Sequence, residues 1–258
     1  MQDLEFDLFE VGRKLSNPLS IKQFILNSCE VAEENSGYSR RLWDDLSVAG
    51  GFPGILMLVN LMELKGYLPQ DTAHQYVLEI KNSLEREGIK NLSLFSGLSG
   101  LCFAIEDASR GKKRYVKMLN QLQSLLLLRV ENELLNPILQ HLKDGNPIPS
   151  NLYDVISGIC GIGRYALENL SIEPFYKLTE KIVKTLILMT NPIRMHGHLV
   201  PGWYLSPADI INRSRFKDTE SKGNFNTGLA HGMTGILAFL SIARLKGIEI
   251  EEIGRAHV

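Results

Sequence analysis

Two residues stand where acid–base chemistry could be done, an aspartate and a histidine. His231 lies in the stretch Asn226-Thr-Gly-Leu-Ala-His-Gly-Met-Thr-Gly235, which runs straight into an apolar segment over 236–245. Asp154 closes Asn151-Leu-Tyr-Asp154, four residues ahead of Gly158-Ile-Cys-Gly161. Each precedes a Gly-x-x-Gly step and an apolar run. Each therefore sits just ahead of a predicted helix N-terminus, where glycine lets a backbone or a ligand approach closely. A carboxylate and an imidazole converging on one cavity can act as an acid/base pair. Both residues also have plainer readings. Asp154 could simply cap the helix that follows it, and His231 could be a hydrogen-bonded core histidine.

The elements that must position this pair form an internal repeat. The Gly-x-x-Gly step occurs four times, at Gly51-Phe-Pro-Gly54, Gly97-Leu-Ser-Gly100, Gly158-Ile-Cys-Gly161 and Gly232-Met-Thr-Gly235, each ahead of an apolar helix. Repeats of this kind are the first thing to seek in a chain. Residues just ahead of the four steps should lie at one mouth of the assembly. One residue before the first glycine the chain has Gly50, Ser96, Ser157 and His231; four before, it has Ser47, Ser93, Asp154 and Gly228. Only Asp154 and His231 are titratable.

Longer one-faced helices lie between the steps, over 70–86, 113–135 and 174–188, with apolar residues at spacings of three and four. A short buried helix alternating with a longer amphipathic one is the pattern of the inner and outer layers of an α/α barrel. Stacked two-helix arrays give the same alternation, so closure does not follow from it. A further helix is predicted over 20–34, ending at Asn35-Ser-Gly37. Residues 192–225 break the pattern; a segment of that length is an insertion rather than a connector, with strand expected around 199–205.

The chain has 258 residues, 44% hydrophobic and 22% charged, and a net charge of −1. That composition builds a soluble globule and makes no electrostatic case for nucleic acid. The acidic N-terminus is not a signal peptide. The most apolar run, 54–62, is too short to span a bilayer and contains Asn60. Cys29, Cys102 and Cys160 are far apart, and the cytoplasm is the expected compartment. Cys102 and Cys160 read as small buried packing residues.

Gly228-Leu-Ala-His-Gly-Met-Thr-Gly235, with Leu152-Tyr-Asp-Val-Ile-Ser-Gly158 and Ser96-Gly-Leu-Ser-Gly100 upstream, resembles the lanthionine synthetase C-like family, the lanthipeptide cyclases. The resemblance covers nearly the whole chain in the right order. It implies an all-α fold, a double-layered α/α toroid, and a reaction: Michael addition of a peptide cysteine to dehydroalanine or dehydrobutyrine, forming a thioether. It implies proton-transfer roles for His231 and Asp154, without saying which does which. It implies a dehydrated precursor peptide as partner, and a dehydratase and an export transporter as further ones. It also implies zinc, which binds the substrate thiol and lowers its pKa. The family's zinc ligands are two cysteines and a histidine in elements after the Gly-Leu-Ala-His-Gly motif. No cysteine follows His231 here, so no metal ligand is assigned. His196-x-His198 supplies two imidazoles, too few for a zinc site.

These departures set the remaining expectations. Residues 1–251 read as the N-terminal part of an incomplete toroid, with 192–225 inserted and 252–258 a non-native tail. Such a fragment would lack zinc ligands, be inactive, and expose apolar inner faces. Two other readings stand beside the cyclase: a non-catalytic family member that binds a peptide or thiol, and a glycoside-acting α/α toroid. The last would want a pair of carboxylates in the cavity.

Overall fold

A computed structural model describes residues 2–36, 43–210 and 222–250, with only the backbone at 2–6 and 29–36. Gly37, the Cys29 side chain and the expected tail at 252–258 lie outside the described residues. In chain order the elements are α1 (Gln2–Leu15), α2 (Pro18–Ser36), α3 (Phe52–Leu64), α4 (Thr72–Glu87), α5 (Leu98–Ala108) and α6 (Val116–Val130). A five-residue π-type turn (Glu131–Leu135) leads into α7 (Asn136–Asp144) and α8 (Ser150–Tyr153). Next come α9 (Ile159–Ala166), a 3-10 turn (Leu167–Asn169), α10 (Glu173–Leu188), the hairpin β1 (Ile193–Met195) and β2 (His198–Val200), and α11 (Met233–Leu245).

The four glycine steps do what the repeat predicts. Gly51, Gly97, Gly158 and Gly232 each cap a helix that begins at the next residue. Their backbones are extended, which any residue can adopt, so close contact explains Gly51, Gly158 and Gly232. A Cβ on Gly54, Gly161 or Gly235 would strike the carbonyl oxygen of Val48, Val155 or Leu229, in each case six residues upstream. One tight turn, used three times, folds the incoming chain over the first turn of the helix.

The chain divides into two compact units, Met1–Asn91 with Phe95–Ser124, and Leu92–Leu94 with Leu125–Val258. In the first, α3 packs on α4 and α5. Phe52, Leu56, Val59, Tyr76, Ile80 and Leu101 make its core. Asp45 is buried beneath these helices and gathers four donors: the Trp43 indole at 2.5 Å, Ser83 at 2.9 Å, Lys22 at 2.7 Å and Arg86 at 2.6 Å. The opposite face of α3 carries Leu58, Leu61 and Leu64 on one exposed stripe.

In the second unit α9 packs on α10 and α11. Gly163 allows this: a Cβ there would meet the Phe239 ring of α11 at 2.5 Å. The ring thus lies against the α9 backbone, holding the two helix starts side by side.

The structure departs from the pattern in three places. Residues 2–15 form α1, which the sequence reading left unassigned. The single long helix expected over 113–135 is interrupted, because Pro137 has no N–H to continue the regular ladder; the wider turn carries the Asn136 N–H to the Glu131 carbonyl instead. The strand expected near 199–205 is real at Leu199 and Val200 and pairs with 193–195, closing through His196 and Gly197, both at positive φ. Those two angles are what a tight two-residue hairpin loop requires. Leu205 then bridges Asn224. No helix among the described residues is long and apolar enough to cross a membrane.

Candidate active site

Asp154 ends the short helix α8 and starts the turn into α9. Its N–H donates to the Ser150 carbonyl at 2.9 Å. Its Oδ1 accepts the N–H groups of Ser157 at 2.6 Å and Gly158 at 3.0 Å. Both donors lie ahead of Ile159, the first residue of α9, whose N-cap is Gly158 with no side-chain cap bond, so this oxygen ties the turn leading into the helix rather than capping the helix itself. The other oxygen is committed elsewhere: Oδ2 lies 2.6 Å from the His231 Nδ1.

His231 is brought there by a closed turn. The Met233 N–H donates to the Asn226 carbonyl at 3.0 Å, the Gly232 N–H to the Gly228 carbonyl at 3.0 Å, and the Thr234 hydroxyl to the Thr227 carbonyl at 2.6 Å. One further bond joins this turn to the Asp154 turn, from the Val155 N–H to the Ala230 carbonyl at 3.1 Å. That bond lies one residue from each member of the pair. The Val155 side chain fills the space that a Cβ on Gly235 would need.

Exposure divides the pair. The Asp154 side chain is 1% exposed and that of His231 45%. His231 is therefore no core histidine; it covers a buried carboxylate and shows the rest of its ring to solvent. An ionised carboxylate only accepts hydrogen bonds, so Nδ1 must donate and Nε2 is left as the ring's free acceptor. The arrangement can hold or release a proton at Nε2.

The first repeat provides an internal control within the other unit. Ser47 occupies the position of Asp154. Its hydroxyl accepts the N–H groups of Ala49 at 3.1 Å and Gly50 at 3.3 Å and donates to the Phe95 carbonyl, ahead of the next step, at 3.0 Å. Tying its own turn and reaching toward the next repeat is thus a scaffold role. What distinguishes the third repeat is that a carboxylate does it, accepting from an imidazole of the fourth. The sequence comparison found the two titratable residues; it missed Val155 and Asn226, which work through the backbone and one amide.

Neither described cysteine joins the pair. Burial, with a smaller push from the Asp154 charge, drives the Cys160 thiol well above its usual range. Burial, then the Glu106 charge, does the same to Cys102. Both are packing residues, since reactivity belongs to the thiolate. His196 is held by the Tyr204 hydroxyl at 3.3 Å, and His198 is exposed on β2. Among the described residues no group of three or more His, Cys, Asp or Glu could hold a metal ion. The zinc that the resemblance implies therefore finds no ligand set among them.

The family model for lanthionine synthetase C-like protein matches residues 42–256, well over half of the chain. The chain belongs to the lanthionine synthetase C-like family. Within that match lie all four glycine steps, Asp154 and His231. This lanthionine synthetase C-like chain is 25% identical over 245 residues to the nisin biosynthesis protein NisC of Lactococcus lactis subsp. lactis, covering 93% of itself and 55% of that relative. The solved structure of nisin cyclase superimposes with a TM-score of 0.68 at 24% identity, over 92% of this chain and 55% of that one. The fold class is thus the all-α toroid that the resemblance implies. The lanthionine synthetase C-like chain described here spans 55% of the length of each of these two proteins.

Proposed function

We propose that the protein is a lanthipeptide cyclase, and that His231 is its proton-transfer residue with Asp154 acting through it. The observation that carries this is the 2.6 Å bond between a buried carboxylate and a half-exposed imidazole. Asp154 has both oxygens engaged and almost no exposed surface, so it does not reach a substrate. It orients the ring and faces the positive charge that forms when Nε2 takes a proton, the role an orienting carboxylate plays beside a catalytic histidine.

The reaction needs two proton movements. A cysteine thiol of the dehydrated precursor peptide gives up its proton, and its sulfur forms a bond to the β-carbon of a dehydroalanine or dehydrobutyrine. The displaced π electrons move onto the adjoining carbonyl as an enolate. A proton then reaches the α-carbon, the carbonyl re-forms, and a thioether remains with no net loss of atoms. Nε2 of His231 can accept the first proton or deliver the second. Zinc chemistry of the whole protein is part of the family resemblance, but the described residues do not fit the ion and no step here runs through it. A dehydratase supplies the substrate in this scheme, and an exporter takes the product. A glycoside-acting reading wants two carboxylates, whereas this pair holds one carboxylate and one imidazole.

The test is ring closure on a dehydrated peptide carrying one free cysteine, followed by loss of alkylatable thiol at constant mass. His231→Gln should slow closure by about 10²–10⁴-fold, the usual scale of general acid–base catalysis. Unchanged closure in His231→Gln would sink the proposal. Peptide retained without thiol loss in the unsubstituted protein would turn the reading to a peptide-binding one.

A further inference from the structure

The turn that carries His231 depends on one side chain more than on any other. Asn226 Oδ1 accepts the Gly228 N–H at 2.8 Å, while its own carbonyl accepts the N–H of Met233, the first residue of α11. Asn226 thus holds both ends of the turn. It is also what makes glycine necessary at 232, since a Cβ there would strike both the Asn226 carbonyl and its Oδ1. Asparagine suits the task because its short amide mimics a backbone turn two residues on. Asn91 stands at the same distance ahead of Gly97. It accepts the Leu98 N–H at 3.0 Å and uses its side-chain amide on the Ser96 carbonyl at 3.4 Å. The two asparagines share the backbone carbonyl that receives the first helix N–H; their side chains differ, Asn91 donating its amide to Ser96 and Asn226 accepting the Gly228 N–H through Oδ1. In the fourth repeat the Oδ1-closed turn carries His231, and the Ala230 carbonyl on that turn receives the Val155 N–H beside Asp154.

We infer that Asn226 is a positioning residue for His231: by closing the 226–233 turn it holds the imidazole with Nδ1 on Asp154 and Nε2 free for the substrate. This rests on the acid–base reading of the pair. It assigns to Asn226 no contact with the substrate.

The experiment is nitrogen-15 NMR of histidine-labelled full chain, recorded where the rings are neutral, with the His231 signals identified by their loss in His231→Gln. The unsubstituted protein should show His231 as the Nδ1–H tautomer, and Asp154→Asn should abolish that excess. Asn226→Ala should abolish it likewise, Asn226→Asp should restore it by keeping the acceptor, and Asn226→Ser, with a weaker turn-forming hydroxyl, should fall between. If Asn226→Ala does not fold, the Asn226→Asp and Asn226→Ser pair decides by the same ordering. An undisturbed tautomer in Asn226→Ala, or in Asn226→Ser where that variant decides, would reduce Asn226 to a structural turn residue and overturn the inference. An undisturbed tautomer in Asp154→Asn would instead remove the pair on which the inference rests, a separate and recognisable failure.

Discussion

Asp154 does two things with two oxygens, and substitution should separate them. Asp154→Asn retains an oxygen that can accept the Ser157 and Gly158 amides, so the turn keeps its bonds. It presents an amide to His231 in place of a carboxylate, so the ring loses the partner that fixes its tautomer. Asp154→Ala removes both functions. Losing a hydrogen bond that holds such a turn costs about 0.5–1.5 kcal/mol. Asp154→Ala should therefore be less stable than the unsubstituted protein by about that amount for each bond lost, and Asp154→Asn should stay close to it, while both lose ring closure. Equal losses of stability in the two variants would show that the charge rather than these bonds stabilises the turn. A choice between capping and catalysis was open in the sequence because both want a short acidic side chain ahead of a helix. The structure puts one oxygen on two turn amides and the other on the imidazole.

The glycine step is where element and site meet. Its spacing was legible because four copies share it, and a repeat is visible in one chain without any relative. Its cause was not legible, since the contact involves a carbonyl six residues upstream in a turn whose path no local rule specifies. The same contact in three copies predicts the same penalty. Gly54→Ala, Gly161→Ala and Gly235→Ala should each lose about 1–3 kcal/mol, the usual cost of overpacking a tight contact. Gly66→Asn, at φ +81° with nothing within 4 Å, should lose well under about 1 kcal/mol, because asparagine tolerates the left-handed region. Denaturant midpoints at constant slope would read the difference. Comparable losses at Gly66 and Gly161 would mean that backbone conformation, not contact, governs these positions. The interruption at Glu131–Leu135 follows a different rule. Pro137 announces a break, but whether a helix ends, kinks or widens there depends on what its flanks pack against.

Acid stability belongs to the whole molecule. Burial would raise the Asp45 carboxyl, but hydrogen bonds from Lys22, Trp43 and Ser83 outweigh it and hold the group below its ordinary value. Burial and the opposing bonds from the Ala73 amide and Arg110 do the same for Glu63. A carboxyl lowered in the folded state binds fewer protons there than in the unfolded chain. Its stabilisation is complete above the unfolded value, about 4 for aspartate, and is lost as pH falls from there through the folded value. Asp45→Asn should thus be the less stable protein at neutral pH, with the gap closing as the solution is acidified below about pH 4. Parallel stability curves across that range would contradict the lowered carboxyl.

The sequence by itself determined the repeat, the helix starts and the two titratable residues, because glycine spacing and apolar periodicity are local records of what each segment must bury. The family resemblance rested on those same residues. Tertiary structure decided the rest. His231 and Asp154 are far apart in the chain, and only the packing of α11 on α9 across Gly163, with the Val155–Ala230 bond, brings Nδ1 to a carboxylate oxygen. Which member of the pair faces solvent was likewise undetermined by residue type. Burial is a property of what the surrounding elements cover, and here they cover the carboxylate and leave the imidazole open.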